Sequence, residues 1–157
     1  MIGVIDRLRF DFSHPQMVTQ SELDEIEQAV NEAILADYPV SASHKDYDEL
    51  KSAIASGEIM ALFGEKYGDV VRVIQIGRGD PGYSRELGGG THVDHTAQIG
   101  SLHITSEGSA AAGVRRIEAV TGRAAQELVQ DGVDYFEAGK YKKAVESFEK
   151  LRDWYPF

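Results

Sequence analysis

Residues 84–122 read SRELGGGTHVDHTAQIGSLHITSEGSAAAGVRRIEAVTG. Gly88, Gly89 and Gly90 carry no Cβ, so the backbone there can turn tightly or lie close against a ligand. Thr91 and His92 follow at once and are positioned by that loop. Two β-prone runs come next, Ile99–Ser106 and Val114–Val120, joined by an alanine-glycine bend at Ala110–Gly113. In the first run Leu102 and Ile104 share a face opposite His103 and Thr105, which is the period of a strand with one side buried. Arg115 and Arg116 make the second run basic.

Upstream, Arg7–Phe12 alternates in the same way, with Leu8, Phe10 and Phe12 on one side and Arg7, Arg9 and Asp11 on the other. His14-Pro15 ends that strand, because proline has no N–H and biases its predecessor toward extended backbone. Thr19 and Glu22 have the spacing of a capping box, so a helix starts there. Leu23, Ile26, Val30, Ala33 and Ile34 give that helix one apolar stripe. A short strand is expected at Tyr38–Ser43, then a shorter helix capped by Asp46 and Glu49 and stopped near Gly57. Gly64 and Gly68 bracket a turn, and VVRVIQI at Val70–Ile76 reads as a central strand. Helices and locally connected strands together imply an α+β domain with a mainly antiparallel sheet and packed helices, over residues 1–122.

The character changes after Gly122. Residues 123–157 are helix-forming throughout with one break at Gly139-Lys140, which predicts an α-helical hairpin. Leu128, Gly132, Tyr135, Gly139, Tyr141, Ala144, Phe148 and Pro156 resemble a single tetratricopeptide repeat, with Asp131 standing where that pattern takes a large apolar residue. A lone repeat leaves its apolar faces uncovered, so the tail predicts self-association or a protein partner, and a homodimer with residues 123–157 at or near the interface.

The chain has 157 residues, no cysteine and a net charge of -10. Thiolate metal sites and disulfides are thereby excluded, which suits a cytoplasmic protein. No apolar run approaches the roughly 18 residues that a membrane span needs. An acidic surface argues against a broad phosphate-binding footprint but leaves room for a local one at Arg115 and Arg116.

RLRFDFSH (Arg7–His14), ALFGEKYGDVVRVIQIG (Ala61–Gly77) and the 84–122 stretch, in that order, resemble the editing domain of alanyl-tRNA synthetase and its free-standing relatives. The resemblance runs from about residue 5 to 122. It implies hydrolysis of serine or glycine from wrongly charged alanine tRNA, at a zinc held by a His-x-x-x-His helix and a Cys-x-x-x-His loop. Gly88 stands in the cysteine position, and MIGVID stands where the His-x-x-x-His helix would precede Arg7, so His92 is the one family ligand present. A catalytic zinc takes about three protein ligands, so no cofactor is expected. His14, Glu86, Asp94, His95 and His103 are the side chains that could substitute as ligands.

Two functions follow. In the first, the chain is a non-catalytic or zinc-deficient module that binds a tRNA acceptor end, a small ligand or a protein. Gly88, Gly89, Gly90, Arg115 and Arg116 would contact the ligand. In the second, it is a deacylase with His92 as metal ligand or general base and Thr91 orienting the substrate.

Overall fold

The computed structural model describes residues 7–61 and 66–152, except for the side chains of 147–152. Gly64 of the expected turn, and the Phe148 side chain and Pro156 of the repeat pattern, lie outside what is described. The strands are β1 (Arg7–Ser13), β2 (Val40–Asp46), β3 (Val70–Ile76), β4 (Ser84–Leu87), β5 (Leu102–Ala111) and β6 (Val114–Thr121). The helices are α1 (Gln20–Leu35), α2 (Tyr47–Ala55), α3 (Gly122–Glu137) and α4 (Tyr141–Arg152). This is the α+β fold with a C-terminal helical pair. Its strands form two three-stranded antiparallel sheets, β1-β6-β5 and β2-β3-β4. Among the described residues no helix is long and apolar enough to cross a membrane.

The chain divides into two compact bodies, Met1–Ile34 with Ile99–Phe157, and Leu35–Gln98. In the first, β1 and β6 pair from Arg7↔Val120 to Ser13↔Val114, and β5 lies on the other side of β6. Leu23 and Ile34 of α1 pack with Val18 on Leu102, Ile104, Ile117 and Ala119 of the sheet. The capping box forms as its spacing implies: Thr19 N–H donates to Glu22 Oε2 at 2.8 Å, and Glu22 N–H donates to Thr19 Oγ1 at 3.3 Å. Ile26 departs from the expected stripe and is 40% exposed.

α1 also closes an edge. The Asn31 amide accepts from Leu102 N–H and donates to Leu102 C=O, both at 2.9 Å. One turn earlier, Glu27 Oε2 accepts Ile104 N–H at 2.8 Å and Oε1 lies 3.1 Å from His103 Nδ1. Strand β5 has no strand on this side among the described residues, so these side chains supply the main-chain partners that a neighbour would. At the far end Gly122, at φ 54, turns β6 into α3, whose Ala125 is fully buried. Gly139, at φ 70, breaks α3 from α4, and the small residues Gly132 and Ala144 are buried within the helical pair.

In the second body β3 is central, as its β-branched run implies, between β2 and β4. Val71 and Val73 of β3, Leu87 of β4 and Ile59 form the core under α2, whose Leu50 and Ile54 pack on it. The expected cap at Asp46 is not made by its side chain. Asp46 is the last residue of β2, opposite Val70, and the α2 entrance is instead tied by Tyr47 N–H to Asp69 C=O at 2.8 Å. Ser84–Leu87 pairs with β3 as β4, and Thr96–Ile99 is a 3-10 turn, so β5 begins at Leu102 rather than at the expected Ile99.

Candidate functional site

The glycine loop leaves β4 beside the central strand of the second body. Gly88 N–H donates to Arg72 C=O at 3.1 Å, one step past the last β3-β4 pair at Val73↔Leu87. The Arg72 guanidinium then donates through Nη1 to the C=O groups of Gly88 and Gly90. Two loop carbonyls are thereby drawn toward one cation. The N–H groups of Gly89, Gly90 and Thr91 have no partner among the described residues, and these residues are exposed. The far end of the loop is tied as well. Val40 N–H donates to Asp94 C=O at 2.8 Å, and the Gln98 side chain accepts from Asp94 N–H at 2.8 Å. A loop fixed at both ends with unpaired N–H groups between is suited to an anionic or carbonyl oxygen.

His92 lies against the start of this loop. A Cβ placed on Gly88 would stand 3.5 Å from His92 Nε2, 4.0 Å from its Cε1 and 3.3 Å from Ile74 Cγ1. Gly88 is not in the left-handed region, so its backbone does not require glycine. A side chain at position 88 would face the ring nitrogen of His92, and in this chain there is none. The structure thus brings Gly88, Gly89, Gly90, Thr91 and His92 together in one body.

Two of the other candidate ligands are engaged elsewhere. His95 Nδ1 lies 3.3 Å from Asp37 Oδ1, and His103 pairs with Glu27. No group of three histidine, aspartate or glutamate side chains converges among the described residues. Among the described residues no two further ligands therefore converge with His92, short of the three that a catalytic zinc takes.

Arg115 and Arg116 lie in the first body, on β6. Arg115 makes a bidentate pair with Glu107, Nε to Oε1 at 2.6 Å and Nη2 to Oε2 at 2.7 Å. Arg116 does the same with Asp11 at 2.7 Å and 2.7 Å. A phosphate would have to compete with these carboxylates. The same bonds hold both carboxyls below their ordinary values, 4.5 for Glu107 and 3.8 for Asp11, the arginine hydrogen bond being the main cause in each case. A carboxyl that is lowered in the folded state contributes stability above its ordinary value and loses it as pH falls through the folded value. Melting temperature should therefore be flat near neutrality and fall below about pH 4, and Glu107→Gln should shrink that fall. A Glu107→Gln protein with an unchanged acid limb would contradict this.

Two clefts of about 580 and 590 Å³ lie in the first body. The first runs between β1, β6 and α3, and the second between the start of α1, β5 and Leu128. Neither includes a residue of the glycine loop.

Arg72 was not apparent as a site residue from sequence. Its one signal is its place as the single charged residue within VVRVIQI.

Residues 71–118 match the family model of the threonyl and alanyl tRNA synthetase second additional domain. The chain is 52% identical over 132 residues to an alanine–tRNA ligase of Chelativorans sp. (strain BNC1), covering 80% of this chain and 14% of that protein. With the alanine–tRNA ligase of Bacillus cytotoxicus it shares 53% identity over 139 residues, 87% of this chain and 15% of that protein. The Bacillus anthracis enzyme gives 52% over the same length and coverage. The chain thus spans about 15% of the length of the relatives it matches.

Proposed function

We propose that this chain, which is alanyl-tRNA synthetase editing-domain-like, recognises the aminoacylated acceptor end of a tRNA through its glycine loop without zinc-dependent hydrolysis of the ester. The observation that carries the reading is the pairing of Gly88 with His92: the position facing His92 Nε2 holds no donor atom. What the loop does provide is the set of unpaired N–H groups from Gly89 to Thr91, held outward because Arg72 takes the carbonyls of Gly88 and Gly90. Such donors suit the ester carbonyl of an aminoacyl group or a terminal phosphate. Thr91 adds a hydroxyl beside them. Arg115 and Arg116 are left to their carboxylate partners in this reading.

A second reading has one observation in its favour. The His92 ring lies beside Gly88, at the start of the loop that carries these N–H groups, so a base and oxyanion donors belong to one loop. Water activated by His92 could then hydrolyse the ester with no metal.

The two are separated by incubating the protein with serine- and glycine-charged alanine tRNA. Release no faster than the spontaneous rate is expected, together with saturable binding that weakens on Arg72→Ala. Deacylation well above background that disappears in His92→Ala would overturn the binding reading in favour of the enzyme.

A further inference from the structure

We propose that two copies of this chain pair through the edge of β1 that carries no strand among the described residues, strand against antiparallel strand, about a two-fold axis at Phe10. Strand β1 has β6 on one side and no strand on the other among the described residues.

The main chain sets the register. His14 N–H donates to Gly113 C=O at 3.0 Å, continuing the β1-β6 pairing. In an antiparallel ladder, bonded and non-bonded pairs alternate. The even-numbered residues of β1 therefore bond to β6, and the N–H and C=O groups of Arg7, Arg9, Asp11 and Ser13 face the open edge. A two-fold at Phe10 sets Arg9 opposite Asp11 of the second copy and Arg7 opposite its Ser13. These are the residues whose main-chain groups point outward. Phe10 then meets its own copy, and Leu8 meets Phe12, in non-bonded pairs, where side chains come closest.

The side chains agree with that register. Arg9 pairs with Glu118 at 3.3 Å, and Asp11 with Arg116 at 2.7 Å, on one face of the sheet. Joining two copies extends each pair into a row of alternating sign: Glu118, Arg9, then Asp11 and Arg116 of the second copy. No like charges meet. A shift by two residues in either direction would set Arg9 against Arg9 or Asp11 against Asp11. On the opposite face Phe10 is 56% exposed and Leu8 40%, although their β6 partners Ile117 and Ala119 are buried. This apolar margin, with Phe10 stacked on Phe12 at 5.7 Å, continues the core outward and is what a second copy would cover.

The occupant could instead be chain preceding Arg7. Association could also run through the helical pair, where Phe136 is 59% exposed, Tyr141 62% and Val145 50%. The experiment distinguishes these. Because the chain has no cysteine, Phe10→Cys gives a single thiol. At a two-fold non-bonded pair the Cα atoms stand about 4.5 Å apart, within reach of a disulfide. Mild oxidation of Phe10→Cys is expected to yield a covalent dimer, at least tenfold faster than Arg9→Cys. In sedimentation velocity the unaltered chain should have twice the chain mass. Phe10→Lys, which sets two ammonium groups face to face, should halve that mass with unchanged circular dichroism. A monomeric unaltered chain would overturn the proposal. So would a dimer that survives Phe10→Lys and dissociates on Phe136→Lys, which would move the contact to α3 and α4.

Discussion

Replacing Glu27 with alanine is expected to lower the unfolding free energy by about 3 kcal/mol, since each buried polar group left without its hydrogen bond costs about 1–3 kcal/mol. Glu27 is 3% exposed and His103 6%. Its two oxygens answer separate needs, the Ile104 N–H at 2.8 Å and the His103 ring at 3.1 Å. Alanine leaves both without a partner where water has little access, and removes packing volume as well. Glu27→Gln retains an oxygen for Ile104 N–H and sets an amide N–H toward His103, which Nδ1 accepts in the tautomer protonated at Nε2, so a smaller loss of about 1 kcal/mol is expected. Asn31→Ala, which removes both bonds to Leu102, falls between at about 2 kcal/mol. Denaturant unfolding measures all three. An alanine variant at position 27 less than about 1 kcal/mol below the parent would show that this carboxylate does not bind α1 to the sheet.

Gly88→Cys is expected to raise zinc affinity by about 100-fold. A complete four-ligand site is worth about 10–16 kcal/mol, so one thiolate carries roughly 3 kcal/mol of binding. The Cβ of that cysteine would stand 3.5 Å from His92 Nε2, close enough for sulfur and nitrogen to bind one ion. Position 88 is open to any L-residue by its backbone. The 3.3 Å approach to Ile74 Cγ1 asks only that a neighbour yield by a few tenths of an ångström. Ile74 is 1% exposed, so a small loss of stability accompanies the gain. Titration against a competing chelator gives the affinity, and adding His92→Ala should return it to the parent value. Equal affinity in parent and Gly88→Cys would mean that position 88 does not face the imidazole. The structural basis for a zinc-deficient site would then be lost.

What was legible from sequence was local. The alternation in Arg7–Phe12, the Thr19–Glu22 box, the β-branched run at Val70–Ile76 and the glycine break at Gly139 each contain their own cause within a few residues. Partners distant in sequence were hidden. Glu27 and Asn31 sit on the helix that the apolar stripe identifies, but nothing nearby announces that they bind residues 77 and 71 positions away. β4 has no alternation and is a strand only because β3 lies beside it. Asp46 has the residue type and spacing of a cap, yet pairing with Val70 keeps it in β2. At the site, the glycine triplet and His92 were recognisable from their order, whereas Arg72 acquires its role only when β4 delivers the loop carbonyls to it.

The clamp of Asn31 and Glu27 on β5 has a consequence for assembly. A sheet open at both margins can recruit copies indefinitely, which is the route to fibres. Here α1 seals the β5 margin of the β1-β6-β5 sheet at Leu102–Ile104, and among the described residues β1 is the margin of that sheet with no such cover. Under the pairing proposed above, that margin is consumed on first use. Growth of that sheet would then stop at two copies, and loosening Asn31 or Glu27 is expected to reopen its second margin to further copies.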